Sequence, residues 1–166
     1  MSRAPRSYAD DPMSYWRDRF VRKGKYYVAR GGRSDAFVAE HRQFAQLLRD
    51  MAEPGGELFD YGAGVGRFAL DLAAVSHNYH AYEPVMGAGA QNPIESSTER
   101  PDRQFDTVVC CMVLQHMPDD FEVSSIIDYV RPGGKLVVVD HVPMDKPDPH
   151  MFPRGVNILA DLWECD

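Results

Sequence analysis

The chain has 166 residues and a net charge of −7, with 44% hydrophobic and 26% charged residues, proportions that fit one soluble globular domain able to bury about 70% of its unfolded surface. No apolar run reaches the roughly eighteen residues of a membrane span, and the start, Met1-Ser2-Arg3-Ala4-Pro5-Arg6, lacks the apolar stretch of a secretory leader, so a cytoplasmic protein is expected. Cys110 and Cys111 are adjacent and Cys165 stands alone, which gives neither a disulfide framework nor a zinc spacing, and no metal site is expected.

Charge is spread unevenly. Residues 1–50 carry eleven Lys and Arg against six Asp and Glu, a net +5, and residues 51–166 carry a net −12. A basic front either steers an anionic acceptor or nucleic acid toward a site or is only a solvated face. The acidic body argues against a broad nucleic-acid surface.

Residues 1–11 are polar and expected to be disordered. Asp11-Pro12 starts a short helix with Tyr15, Trp16 and Phe20 facing inward, as core or as pocket wall, followed by a basic segment through Lys25. Ser34 or Asp35 caps the next helix, in which Phe37, His41, Phe44, Leu48 and Met51 recur at spacings of three and four. That stripe faces a sheet, and His41 on it reads as packed rather than catalytic. Glu53-Pro54-Gly55-Gly56 ends the helix.

Leu58-Phe59-Asp60-Tyr61 then runs into Gly62-Ala63-Gly64-Val65-Gly66 and an Ala-rich segment through Val75: strand, tight turn, helix. Glycine belongs where the chain turns with positive φ and where a ligand must approach the backbone closely. A dinucleotide fingerprint needs its third glycine five positions after the first; here Gly66 comes four after Gly62 and Arg67 fills that place. Asp60 suits a ligand carrying an ammonium better than a pyrophosphate. Glu83, at the end of a second strand through His80-Ala81-Tyr82, stands where a carboxylate takes both hydroxyls of a ribose.

Residues 84–104 are rich in Gly, Pro and Ser and too short for a helix and a further strand. A loop or one short edge element near Ile94 is expected. Phe105 to Leu114 reads as a buried strand from its continuous apolar character. Asp119 or Asp120 caps a helix to about Tyr129, with Ile126, Ile127 and Val130 on its inner side, and Pro132-Gly133-Gly134 turns into a strand from Lys135 to Val139. Asp106 reads as structural. Four prolines from Pro143 to Pro153 make a long loop before one last element.

Four of these segments, over roughly residues 55 to 142 and in the expected order, resemble the motifs of class I S-adenosylmethionine-dependent methyltransferases. Asp60-x-Gly62-x-Gly64-x-Gly66 is similar to the first motif and Glu83 to the second. Phe105 to Asp119 is similar to the fourth-strand motif, and Arg131 to Asp140 to the approach to the fifth strand. The resemblance implies a Rossmann-like, doubly wound, mainly parallel α/β sheet with a shortened third-strand region and truncated C-terminal strands. Residues 1–33 would form an N-terminal cap segment and residues 34–166 the domain that binds S-adenosylmethionine and releases S-adenosylhomocysteine. It also implies cofactor contacts at Asp60, Gly62, Ala63, Gly64, Gly66, Glu83, Pro84, Met112, Leu114 and Gln115, with no place for the adenine contact within 84–104.

Methyl transfer from a sulfonium needs alignment above all, and a base only where the acceptor loses a proton. His116, after the fourth strand, is the first candidate base, and His141 beside Asp140 is the second. The fourth-strand motif has neither an Asp/Asn-Pro-Pro-aromatic sequence nor a Pro-Cys pair, which favours a small-molecule acceptor methylated on oxygen or nitrogen. Nucleic acid and membrane are not expected as partners, and a homo-oligomer or partner subunit would cover the C-terminal sheet edge. The alternatives are a non-catalytic or partner-dependent subunit, another reaction of the same cofactor, and a nicotinamide oxidoreductase.

Overall fold

The apolar runs become five parallel strands in the computed structural model, which describes residues 11–30, 35–85, 92–117, 121 and 124–140, with side chains at all of these except 23–30, 36 and 37. In chain order the elements are α1 (Pro12–Arg30), α2 (Asp35–Met51), β1 (Glu57–Tyr61), α3 (Ala69–Ala73), β2 (Asn78–Tyr82), β3 (Ser96–Ser97), β4 (Phe105–Cys111), a 3-10 turn (Leu114–His116), α4 (Ser124–Ile127) and β5 (Val130–Val139). The strand order is β3-β2-β1-β4-β5, every pair parallel. The order reverses beside β1, between β2 and β4, and a crevice opens at such a switch point beyond the carboxyl ends of the strands.

Strand side chains alternate between two cores. Leu58, Val109 and Val137 pack with Ala45 and Leu48 of α2 and Leu72 of α3. Phe59, Tyr61, Val108 and Cys110 face the other way, against Ile126 of α4 and Tyr129. The expected stripe of α2 is rotated slightly. Ala45, Leu48 and Ala52 are buried whereas Met51 is exposed, because small alanines let the helix approach the sheet and Met51 lies off that line of contact. His41 stacks on Phe68 with ring centroids 5.2 Å apart and lies 3.6 Å from Asp71.

Three boundaries differ from the sequence reading. Helix α1 is long: Asp11 caps it, its carboxylate accepting the Ser14 N–H at 3.0 Å with Pro12 in the first turn, and nothing breaks it before Arg30. Strand β4 ends at Cys111 rather than Leu114, because Met112 turns left-handed at φ 61. Strand β5 begins at Val130, which pairs with Phe105; Thr107 then pairs with Lys135, so Arg131-Pro132-Gly133-Gly134 bulges within the strand instead of preceding it. Arg131 pins the bulge through contacts of 2.8 Å to Glu57 and 2.9 Å to Asp106. Asp106 also accepts the Glu57 N–H at 2.7 Å, a structural part.

Among the described residues of the short interval after β2, the one strand is the two-residue edge strand β3, a little past Ile94. His141, Asp119, Asp120, Cys165 and the Pro-rich C-terminal segment lie outside the described residues, so the expected cap, the C-terminal sheet edge and the disordered start are not described. Among the described residues no helix is long and apolar enough to cross a membrane.

Candidate active site

The glycine turn follows β1 and is fixed from both sides. The Gly62 and Ala63 N–H groups both donate to the Tyr82 carbonyl of β2, each at 2.9 Å. Gly62 has φ 76, and a Cβ there would lie 2.7 Å from a Val113 methyl. The turn that follows β4 therefore packs directly on the turn that follows β1. Gly64 has φ 56 and is different in its surroundings: among the described residues, the Glu83 carboxylate at 3.9 Å is all that a Cβ would meet. One face of the turn is open at Gly64, where a ligand can reach the backbone.

Two carboxylates border this face. Glu83, just past β2, accepts the Gly64 N–H with one oxygen and the Val85 N–H with the other, both at 2.7 Å. Asp60 accepts the Tyr79 hydroxyl at 2.8 Å. Both are buried, and among the described residues no cation pairs with either. Burial pushes the Asp60 carboxyl up to about 7, against the Tyr79 hydrogen bond and helped by the Glu83 charge. Burial also raises Glu83, opposed by its two backbone donors. The Tyr79 hydroxyl is pushed upward by burial and by Asp60, and stays the donor.

Buried carboxylates without a cation are costly. A carboxylate has about four acceptor positions, and Glu83 uses two. The arrangement therefore fits a ligand that brings hydroxyl donors to Glu83 and positive charge toward Asp60. It does not fit a pyrophosphate, whose charge both groups would repel. Helix α3 starts only at Ala69 and spans five residues, so the glycine backbone and the carboxylates, rather than a helix end, form the site.

The second half of the site follows β4. Left-handed Met112, held by its N–H to the Val139 carbonyl at 2.6 Å, redirects the chain into the 3-10 turn. A non-glycine residue in that region is strained by roughly 1–3 kcal/mol. Leu114 is fully buried in the core and has only backbone to offer, whereas Gln115 is held by its N–H to the Asp140 carboxylate at 3.1 Å. The Gln115 amide nitrogen lies 3.4 Å from the Met112 carbonyl and 3.2 Å from His116 Nε2, and its oxygen is buried with no hydrogen-bond partner among the described residues. His116 meets the edge of Trp16 from α1 at 4.7 Å. Cys110 and Cys111 are free thiols, both raised chiefly by burial, Cys111 to about 12, and so unreactive.

Asp60, Gly62, Ala63, Gly64, Gly66, Glu83 and Pro84 thus gather at the carboxyl ends of β1 and β2. Met112, Leu114, Gln115 and His116 follow the carboxyl end of β4 beside them. Tyr79, the partner of Asp60, escaped sequence reasoning, and strand alternation, which puts it on the Asp60 face, was its only signal. Asp140, which the sequence set beside His141, accepts the Gln115 N–H. Arg19 lies beside Tyr15 and Trp16 on α1. Among the described residues no three His, Cys, Asp or Glu side chains gather to hold a metal ion.

A family model described as a methyltransferase domain matches residues 34–165. No curated protein sequence matches the chain. Among solved structures, DhpI in complex with SAH is 24% identical, with 82% of this chain and 70% of that one covered and a TM-score of 0.62. Magnesium protoporphyrin IX methyltransferase from Synechocystis, with bound SAM, is 19% identical over 97% of this chain and 85% of its own, at a TM-score of 0.61. Coclaurine N-methyltransferase bound to N-methylheliamine and SAH is 15% identical over 80% of this chain and 48% of its own, at a TM-score of 0.59. These likenesses, all below 25% identity, are likenesses of fold.

Proposed function

We propose that this chain, which belongs to the methyltransferase domain family and is an S-adenosylmethionine-dependent methyltransferase, methylates an oxygen or nitrogen of a small-molecule acceptor. The observation that carries the cofactor site is the pair of buried carboxylates, Asp60 and Glu83, which have no cation among the described residues and stand beside the Gly64 turn. S-adenosylmethionine combines what that face lacks: ribose hydroxyls, an ammonium, and a sulfonium whose methyl group is already activated toward nucleophiles. Glu83 takes the ribose hydroxyls, the Gly62 to Gly66 backbone holds the amino-acid portion, and Asp60 balances the positive charge. Pro84 and Met112 border the ligand, and Gln115 fixes the rim.

Alignment supplies most of the catalysis, because holding donor and acceptor in attack geometry is worth up to roughly 7–11 kcal/mol. His116, beside Gln115 past β4, receives the acceptor's proton where one must leave. A small-molecule acceptor is supported by the fourth-strand turn, which lacks the nucleobase motifs, and by the acidic body. The small-molecule compounds named with structural neighbours point the same way.

The test is calorimetric titration with S-adenosylmethionine, S-adenosylhomocysteine and oxidised nicotinamide dinucleotide. Saturable binding of the first two and none of the third is expected, followed by S-adenosylhomocysteine release on a panel of hydroxy and amino acceptors. Binding of the dinucleotide alone would overturn the site assignment. Methylation of nucleic acid in preference to every small acceptor would overturn the acceptor class.

A further inference from the structure

Helix α1 holds six Lys or Arg and a single acidic residue, Asp18. Arg17 and Arg22 are exposed, as on a solvated helix, but Arg19 is not. Its side chain is half-buried, and its Nε is buried with no hydrogen-bond partner among the described residues. One guanidinium nitrogen, Nη1, meets the Tyr15 hydroxyl at 3.1 Å, and the guanidinium carbon stands 5.8 Å from the Trp16 ring centre. No carboxylate lies within ion-pair distance among the described residues. The same Trp16 ring touches His116 at 4.7 Å. An uncompensated guanidinium is therefore one aromatic ring away from the histidine that borders the proposed reacting centre.

We infer that Arg19, with the Tyr15 hydroxyl beside it and Trp16 as a flat wall, binds an oxyanion of the methyl acceptor, so that the acceptor is a small anionic molecule carrying a carboxylate or phosphate-type group. This rests on the methyltransferase reading above and narrows it. A guanidinium offers a planar fork of donors that matches either oxyanion. Trp16 stacks on the acceptor's body, and its contact with His116 sets the distance between the anion and the atom to be methylated. The net positive charge of residues 1–50 acts on the same ligand from further away, raising its rate of arrival. Arg19 selects the acceptor and leaves the cofactor alone, since the proposed cofactor contacts follow β1, β2 and β4 and none is on α1.

The experiment uses the full chain with Trp163→Phe, which leaves Trp16 as the one tryptophan. Saturated with S-adenosylhomocysteine, the protein is titrated at constant ionic strength with inorganic phosphate, acetate, benzoate and the neutral benzamide while Trp16 fluorescence is read. At least one anion should give a saturable change and benzamide none. Arg19→Met should weaken that anion roughly ten- to hundredfold, the loss expected for charge-assisted hydrogen bonds. Arg19→Lys should recover part of the affinity, and both variants should bind S-adenosylhomocysteine as tightly as the parent. No anion response in the parent, equal responses to benzoate and benzamide, or a response unchanged in Arg19→Met would each overturn the anionic acceptor while leaving the methyltransferase reading intact. Failure of the parent to bind S-adenosylhomocysteine would overturn both.

Discussion

Asp60 ties the site to pH with a definite sign. Its carboxyl titrates near 3.8 in the unfolded chain and near 7 in the fold, so between those values the folded state binds more protons. Its contribution to stability is therefore lost as pH rises from about 4 to about 7 and is level above. A cationic ligand favours the ionised form. Affinity for S-adenosylmethionine should rise as pH passes through about 7 and binding should release a proton, measurable by calorimetry in buffers of different ionisation heat. Asp60→Asn should flatten both dependences, and a parent profile already flat would show that Asp60 does not face the ligand's charge. Glu83 acts beside it by another route, because its carboxylate holds the Gly64 and Val85 N–H groups before any ligand arrives. Glu83→Ala should weaken cofactor binding by about 1.5–3 kcal/mol, the range for hydrogen bonds to a charged group, and should speed hydrogen exchange at Gly64 in the free protein. Weakened binding with unchanged exchange at Gly64 would confine Glu83 to the ribose.

At the scale of elements, local pattern and tertiary contact divide the work. Strand β1, its glycine turn and strand β2 could be read from the chain because apolar alternation and the Gly62, Gly64 and Gly66 spacing are local signals, and parallel pairing then sets Glu83 beside the turn. The end of β4 was not legible. Nothing in the apolar run from Phe105 to Leu114 marks Met112 as left-handed; its N–H contact to Val139 on the neighbouring strand does. The β5 bulge was hidden for the same reason. Pro132-Gly133-Gly134 looks like a turn until Arg131 finds Glu57 and Asp106 from two other strands. Trp16 and His116 are far apart in sequence, and no pattern joins them. Helix α2 offers the test at this scale. Leu48 is fully buried between α2 and the sheet, so Leu48→Ala should cost about 2–5 kcal/mol of stability, read by denaturant unfolding. Cofactor affinity of the folded fraction should be unchanged, because none of the proposed cofactor contacts belongs to the apolar cluster that Leu48 fills. A loss of affinity in folded protein would mean that α2 also positions the glycine turn, through Arg67 and Glu40, which meet at 3.2 Å.

The whole molecule is built around a site that is electrostatically incomplete without its ligand. Among the described residues, two buried carboxylates at the carboxyl ends of β1 and β2 have no cation, and a half-buried guanidinium on α1 has no anion. The ligand-free fold carries both deficits, so ligands should stabilise it well beyond the local contacts they make. A ligand at a hundred times its dissociation constant adds about 2.7 kcal/mol to the folded state, and for a chain of this length each kcal/mol moves the midpoint by roughly 2–4 °C. S-adenosylmethionine at that concentration should therefore raise the melting temperature by about 5–10 °C, and S-adenosylhomocysteine should do the same, while oxidised nicotinamide dinucleotide at equal concentration should leave it unchanged. Asp60→Asn removes one of the deficits, so its free protein should melt higher than the parent at pH 8, where the parent's carboxylate is ionised. Near pH 5 that advantage should shrink, because the parent's Asp60 is then neutral. A variant no more stable than the parent at pH 8 would show that Asp60 is already compensated within the fold, and the cofactor's charge would have to be balanced elsewhere.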